Sequence, residues 1–239
     1  MKNSAKYFSL TFIKKEKIAK DAFAFYFDRV KLGSAEKLDF LAGQYIHMYL
    51  PVINEKGRGN SRMFTIASSP LEKDYIFIAT KKGKSIFKKS LFKIVPQTPV
   101  KFYGPSGNLI IDDSPAGGKK PSYVFLALGI GVTLFRSIIK YVSQKKIKIT
   151  ITLIASFSKK EYFLFYGELI NISKLNANIK IVYSSTRINE KLIKNNVKSI
   201  NRHLYFITGP TSGISDLEEI VSGMGVSSEK IFIEDFEGY

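Results

Sequence analysis

The hydrophobic pattern of this 239-residue chain changes near its middle, and its two halves predict different architectures. Before residue 112 the apolar runs are short and separated by Gly and Pro, which is typical of a small antiparallel β-barrel. These runs occupy residues 8–13, 22–27, 45–50, 64–67, 75–80 and 100–103. One helix is predicted from Ser85, and its apolar face consists of Ile86, Phe87, Leu91, Phe92 and Val95.

Strands and helices alternate after residue 121. The predicted strands cover residues 123–128, 147–155, 179–184, 204–208 and 230–233, with helices at 133–142, 163–172 and 215–224. Apolar strands separated by helices predict a doubly wound parallel sheet. The residues between the halves are polar or Gly and Pro, without apolar periodicity. We therefore expect a β-barrel domain over 1–111, a linker over 112–121 and an α/β domain over 122–239.

Composition excludes several classes of protein. The chain contains no Cys, which excludes disulfides, thiolate zinc sites, iron–sulfur clusters bound by this chain and Cys nucleophiles. His47 and His203 are the only histidines, and no metal site is predicted. No stretch without a charged residue is longer than the 15 residues of 121–135, which is fewer than the roughly 20 residues that a membrane-spanning helix needs. We expect a cytoplasmic protein that does not insert into a membrane.

Two local motifs indicate a nucleotide site. The turn that contains Gly129 and Gly131 follows an apolar strand and opens a helix, where backbone N–H groups can receive a pyrophosphate. The third glycine of the usual motif is missing, so a tight packing turn is an equal alternative. In the first half, Arg62, Phe64 and Thr65 can meet a phosphate, a flat ring and a ring nitrogen. Alternatively, Phe64 belongs to the core and Arg62 to the solvent-exposed surface.

Seven segments, taken in order, carry a resemblance to a known family. They are FLAGQY (40–45), RMFTIASSP (62–70), GKS (83–85), GPSG (104–107), ALGIGVTLFRSI (127–138), TGP (208–210) and IEDFEGY (233–239). In this order and spacing, over nearly its whole length, the chain resembles the ferredoxin–NADP reductase superfamily of flavoprotein reductases. The resemblance implies an FAD-binding barrel joined to a nicotinamide-nucleotide domain, with the flavin ring in the cleft between them.

The resemblance assigns FAD contacts to the RMFT segment. Arg62 would hold the pyrophosphate, because a guanidinium pairs with phosphate oxygens in bidentate fashion. Phe64 would pack on the isoalloxazine, and Thr65 would place its hydroxyl near flavin N5. Met63 lies in the same segment and is counted among the cofactor-binding residues.

Further FAD contacts are implied outside that segment. Ser85, as the N-cap of the basic helix, would add donors to the pyrophosphate, and Gly83 lies in the same loop. Tyr45 and Met48 either line the flavin pocket or belong to the core.

The second domain would bind the nicotinamide nucleotide. The resemblance implies that Gly129, Gly131 and Thr133 wrap this nucleotide. The resemblance also implies that Thr208 would stand close to nicotinamide C4, at a position where the family often has Cys. The predicted strand that ends at Thr208 places it where open α/β sheets bind ligands.

The remaining implied residues follow the last two strands. Gly209 and Pro210 continue the TGP segment, and Glu234 matches the family's acidic residue near the end of the chain. Phe236 or Tyr239 would cover the other face of the flavin, although a frayed terminus is an equal alternative for Tyr239. Together with Thr65 and Thr208, Glu234 completes the set of predicted catalytic residues.

Charge favours NADP(H) over NAD(H) and an acidic partner. Arg187 matches a family Arg at the nucleotide site, and no acid follows the second strand before Glu161. The net charge is +17, and residues 81–101 hold seven Lys and no acid. The positive electrostatic field of these lysines would attract acidic partners such as ferredoxin or flavodoxin. The alternative is a lysine-rich composition with no partner. No nucleic acid is expected, and we expect a monomer.

The predicted function is that of a flavoprotein oxidoreductase that transfers electrons between NADPH, or NADH, and a one-electron carrier by way of FAD. One alternative is the reductase component of an oxygenase, or a ferric or flavin reductase. A non-enzymatic alternative is a basic adaptor with a degenerate flavin site.

Overall fold

The computed structural model of the chain describes residues 5–30, 38–52, 59–112 and 121–235. The chain divides into two compact units, Met1–Ile110 and Ile111–Tyr239. Most of the predicted linker lies outside the described residues. None of the helices in these ranges is long and apolar enough to cross a membrane.

The first unit is a barrel-like antiparallel sheet with one helix. Its elements are β1 (Lys6–Ala19), β2 (Ala22–Asp28), β3 (Tyr45–Tyr49), β4 (Ser61–Thr65), β5 (Tyr75–Lys81), α1 (Ile86–Lys93) and β6 (Pro99–Ser106). The strand order is β4-β3-β6-β1-β2-β5. Just after β4, the Ala67 N–H donates to the Phe77 carbonyl of β5 at 2.9 Å, so the two outer strands of the sheet approach each other. The predicted fold class of this half is confirmed, although the sheet is not fully closed.

Helix α1 forms where the sequence predicts it, but its buried face is narrower. Phe87 and Leu91 are fully buried, and Phe92 packs against the same core. Ile86 and Val95, both predicted to be buried, are 43% and 63% exposed. The helix has only eight residues, so the pair at positions i and i+4 fills its contact with the sheet, and Val95 lies beyond its last turn.

The second unit is a parallel sheet with helices between its strands. Its elements are β7 (Ser122–Leu128), α2 (Val132–Lys145), β8 (Thr150–Ser156), α3 (Tyr166–Leu175), β9 (Ile179–Ser184), α4 (Glu190–Asn196), β10 (Leu204–Gly209), α5 (Thr211–Gly223) and β11 (Ile231–Asp235). The strand order is β11-β10-β7-β8-β9, which confirms the doubly wound sheet. The sequence prediction missed α4, a seven-residue helix whose N-cap Asn189 accepts a hydrogen bond from the Leu192 N–H.

The strand order creates a switch point between β7 and β10. From β7 the chain proceeds to β8 and β9 on one side, and it then returns to form β10 and β11 on the other side. In open α/β sheets, ligands bind outside the carboxyl ends of the strands at such a point. The turn after β7 and the TGP segment at the end of β10 are therefore placed together.

Candidate functional site

In the first unit, the predicted flavin residues lie on neighbouring strands. Tyr45 of β3 pairs with Thr65 of β4, so these two side chains are neighbours on one face of the sheet. Thr65 is 4% exposed, and its hydroxyl oxygen is buried without a hydrogen-bond partner among the described residues. A buried unpaired hydroxyl costs about 1–3 kcal/mol, so such a group needs an explanation. A hydrogen-bonding ligand atom at this position would satisfy it.

Phe64 faces the opposite way from Thr65 and belongs to the core. It is 5% exposed, and its ring centroid lies 6.0 Å from that of Phe87 in α1. The prediction that Phe64 packs on the isoalloxazine is therefore not supported, and the core alternative describes it. Met48 is also fully buried in this core, whereas Met63 is 36% exposed on the other face. Strand alternation explains these placements, because successive side chains point to opposite faces.

The predicted phosphate-binding residues converge at the start of α1. Ser85 is the N-cap, as predicted, and its hydroxyl oxygen accepts from the Lys88 N–H at 3.3 Å. Arg62 donates to the Ser61 carbonyl at 2.7 Å and lies over the Phe87 ring at 5.5 Å. A guanidinium has five N–H donors, so several remain for phosphate oxygens. The donors present therefore fit a diphosphate group.

In the second unit, the turn after β7 is held by a contact with β10. Gly129 has φ of +58°, a left-handed conformation that favours glycine. Gly131 approaches Thr208 so closely that a Cβ atom there would lie 2.6 Å from the Thr208 hydroxyl oxygen. Thr208 is fully buried, and its hydroxyl donates to the Gly131 carbonyl at 3.0 Å. Gly129 and Ile130 of the turn are half-buried, whereas Gly131 is buried against β10.

Two threonines differ from their predicted roles. Thr208 was expected close to nicotinamide C4, but its side chain is enclosed and fixes Gly131 instead. Thr133 was expected to wrap the nucleotide, but it is 3% exposed and its hydroxyl donates to the Ile130 carbonyl at 2.9 Å. Both hydroxyls are therefore used inside the protein, and we describe both residues as positioning residues.

Two carboxyl groups lie beside the switch point. Glu234 and Asp235 of β11 pair in register with Thr208 and Gly209. Glu234 Oε1 and Asp235 Oδ1 are buried without a partner in the described ranges, while the Thr211 hydroxyl donates to Asp235 Oδ2 at 2.7 Å. Burial raises the pKa of Glu234 to about 7. The predicted residue Glu234 is thus a carboxyl that can hold a proton near neutral pH.

The neighbouring Gly209 and Pro210 connect β10 to α5. Gly209 is buried and Pro210 is the exposed N-cap of α5, so the chain turns sharply at the sheet edge. A Cβ on Gly209 would lie 2.7 Å from the Leu128 Cβ, which shows how closely β10 and β7 approach at their ends. Phe236 and Tyr239, predicted to cover the flavin, lie outside the described residues.

At the other edge of this sheet, polar groups end β8 and β9. The Ser156 hydroxyl donates to the Thr186 carbonyl at 2.7 Å, which fixes the loop that presents Arg187. Arg187 is exposed. A groove of about 630 Å³ lies nearby, lined by Lys160, Phe163, Tyr166, Ile170, Ile181, Val182, Tyr183 and Ser185. The sequence prediction missed this aromatic groove, because its rings come from α3, from β9 and from the loop before α3.

Comparison with known proteins identifies the first domain and the fold. Residues 9–111 match the family model of the oxidoreductase FAD-binding domain. The family model identifies an oxidoreductase FAD-binding domain in the first unit, and the fold of the chain is similar to that of a ferredoxin–NADP+ reductase. The predicted resemblance is confirmed at this level.

One curated relative and two solved structures define the similarity. Flavohemoprotein A of Dictyostelium discoideum is 26% identical over 213 residues, which cover 82% of this chain and 52% of that protein. The cytochrome b5 reductase domain of Ulva prolifera nitrate reductase has a TM-score of 0.82 at 18% identity, covering 96% of this chain and 97% of that one. A variant of the Plasmodium falciparum ferredoxin–NADP+ reductase in complex with 2′P-AMP has a TM-score of 0.76 at 16% identity, covering 96% of both chains. The chain spans little more than half the length of the curated relatives that it matches.

Proposed function

We propose that the chain is an FAD-dependent reductase that takes electrons from NADPH, in preference to NADH, and passes them to a one-electron carrier protein. The observation that carries this proposal is the buried, unpaired Thr65 hydroxyl in a domain of the FAD-binding family. Bound FAD supplies the chemistry of hydride uptake from a nicotinamide and release of single electrons. The protein supplies binding, orientation and the exclusion of water.

Each residue has a distinct task in this proposal. Arg62 and the α1 N-terminus capped by Ser85 hold the FAD diphosphate, and the Thr65 hydroxyl orients the flavin ring by a hydrogen bond. In the second unit, the Gly129–Gly131 turn and the N-terminus of α2 receive the diphosphate of the nicotinamide nucleotide. Glu234 forms a hydrogen bond with the nicotinamide amide. Because burial raises its pKa to about 7, the carboxyl group can donate this bond when it is protonated and accept it when it is ionised.

The preference for NADPH rests on the carboxyl ends of β8 and β9. Lys159, Lys160 and Arg187 are cations there, while Ser156 stands where an acidic residue would bind the ribose hydroxyls of NADH. A 2′-phosphate would pair with such cations. The 2′P-AMP complex of the structurally similar Plasmodium falciparum enzyme supports this reading.

Replacing Arg187 by Ala tests the preference. We expect KM for NADPH to rise about tenfold, the usual effect of losing one charge-assisted hydrogen bond, with KM for NADH nearly unchanged. Arg202→Ala, which removes an exposed arginine between α4 and β10, is the matched control. The preference would be contradicted if KM rose equally for NADPH and NADH in the Arg187 variant. It would also be contradicted if the ratio of the two KM values were the same in the Arg187 and Arg202 variants.

An acidic electron carrier such as ferredoxin or flavodoxin is proposed as the partner. The support is the seven lysines between residues 81 and 101, of which Lys89 and Lys93 on α1 are exposed. Opposite charges raise association rates at low salt and lose this effect as ionic strength rises. Reduction of ferredoxin should therefore slow several-fold between low and physiological salt, while reduction of the neutral quinone menadione should not. Equal salt dependence for both acceptors would count against this partner.

A haem protein is a second candidate for the acceptor, because the curated relatives are flavohemoproteins. One experiment separates these functions. The apoprotein is incubated with FAD, desalted and examined near ~450 nm, where bound flavin absorbs. NADPH is then added with ferredoxin, flavodoxin, a ferric haem protein, ferric chelate or free flavin as the acceptor. A folded protein that stays colourless would refute the proposal and favour the adaptor alternative.

A further inference from the structure

Lys88 lies beside the proposed phosphate site, although it is not part of the predicted apolar face of α1. Its side chain is half-buried, unlike that of Lys89, which is exposed. A Cβ atom on Gly83 would lie 2.4 Å from Lys88 Cδ and 3.5 Å from its Nζ. The lysine stem therefore lies along the loop that leads into α1, and its ammonium group is held at that loop.

The charges around Lys88 are of its own sign. Burial, then the positive charges of Arg62 and Lys81, lower the pKa of Lys88. Within the described ranges, no carboxylate or carbonyl oxygen engages its ammonium group. A half-buried ammonium group close enough to two other cations to feel their charge is electrostatically unfavourable, and a nearby anion would offset this repulsion. Because like charges gather around a half-buried ammonium group, the arrangement indicates an anion-binding function.

We infer that Lys88 binds the FAD diphosphate directly, as a second cation beside Arg62. The inference rests on the proposed FAD binding and adds a residue that the sequence did not single out. A diphosphate offers several oxygens with two negative charges, whereas Arg62 brings one positive charge. Lys88 supplies the other charge from the first turn of α1, where the free N–H groups of the helix also point.

The test compares Lys88→Met with Lys89→Met. Methionine keeps an unbranched apolar stem against Gly83 and removes the charge, while the Lys89 variant removes an equal charge from an exposed position of the same helix. The dissociation constants of the apoproteins for FAD and for riboflavin, which has no phosphate, are measured by flavin fluorescence at low and physiological salt. We expect the K88M constant for FAD to rise about tenfold with a weaker salt dependence. Riboflavin affinity should not change, and K89M should behave as the wild type.

The outcomes separate this inference from the proposed function. If the wild type does not bind FAD, both are wrong. If the wild type binds FAD and K88M binds it equally well, or if K88M loses FAD and riboflavin in parallel, only the role of Lys88 is wrong. Lys88→Arg, which keeps the charge, should retain most of the FAD affinity.

A second measurement does not depend on whether the K88M protein folds. In protein labelled with 13C-lysine, the Lys88 Cε resonance is assigned from its loss in K88R and titrated with and without FAD. A neighbouring diphosphate should raise the pKa of Lys88, because it favours the charged form. An unchanged titration curve on FAD binding would overturn the inference.

Discussion

Replacing Gly131 by Ala tests how the turn after β7 is fixed. A Cβ atom there would lie 2.6 Å from Thr208 Oγ1, 2.7 Å from its carbonyl oxygen and 2.8 Å from its carbonyl carbon. Two of these atoms belong to the backbone of β10, which is paired with β7 on one side and β11 on the other. Rotation of a side chain cannot relieve such contacts, so the turn must move. Overpacking of this kind costs about 1–3 kcal/mol, and we expect the upper part of that range.

The assay is thermal and urea unfolding, followed by circular dichroism. For a chain of this size, each kcal/mol lowers Tm by about 2–4 °C. The matched control is Gly167→Ala in α3 of the same unit, where a Cβ would meet nothing within 4 Å. Because Ala is the better helix former, by about 1 kcal/mol, this control should be as stable as the wild type or more so.

The same variant separates the two units functionally. Since the shifted turn is the proposed nucleotide site, KM for NADPH should rise in G131A while FAD content stays at the wild-type level. A G131A protein with the stability and KM of G167A would refute the reasoning, because the contact with Thr208 would then carry no constraint.

Three further predictions follow from single groups. Burial raises the pKa of Glu234 to about 7, so the folded chain holds this proton more tightly than the unfolded chain. The free energy of unfolding, measured by urea unfolding, should therefore fall as pH rises from about 4.5 to 7. Glu234→Gln should remove this pH dependence, and identical pH profiles for the variant and the wild type would contradict the prediction. Thr65→Val removes a buried unpaired hydroxyl, so the Tm of the apoprotein should stay equal or rise. The same variant should bind FAD several-fold more weakly in a fluorescence titration. A lower apoprotein Tm would show that the hydroxyl has a partner. Ser85→Ala and Asn189→Ala each remove an N-cap, and each should lower the free energy of unfolding in urea by about 1 kcal/mol. Only Ser85→Ala should also raise the Kd for FAD. An equal effect of both variants on the Kd for FAD would rule out the phosphate role of α1.

Local patterns in the sequence determined the framework of this protein. The apolar run of β7, the glycine turn after it and the Ser85 N-cap are set by neighbours along the chain, through side-chain periodicity, backbone freedom and a hydrogen bond across three residues. For the same reason the predicted strands 204–208 and 230–233 end within two residues of the observed ends of β10 and β11. Helix α4 was missed because seven residues give too little periodicity to identify a helix.

The use of each polar group was decided only by tertiary structure. The Thr208 hydroxyl bonds to Gly131, 77 residues away in sequence, and no local pattern shows that this hydroxyl is already satisfied. In the sequence, Lys88 is likewise one of several lysines, and only the packing of β4 and β5 brings Arg62 and Lys81 towards it. Phe64 could have faced either side until α1 placed Phe87 against it. A sequence specifies which groups are available, but desolvation and pairing depend on distances between segments that only the folded chain brings together.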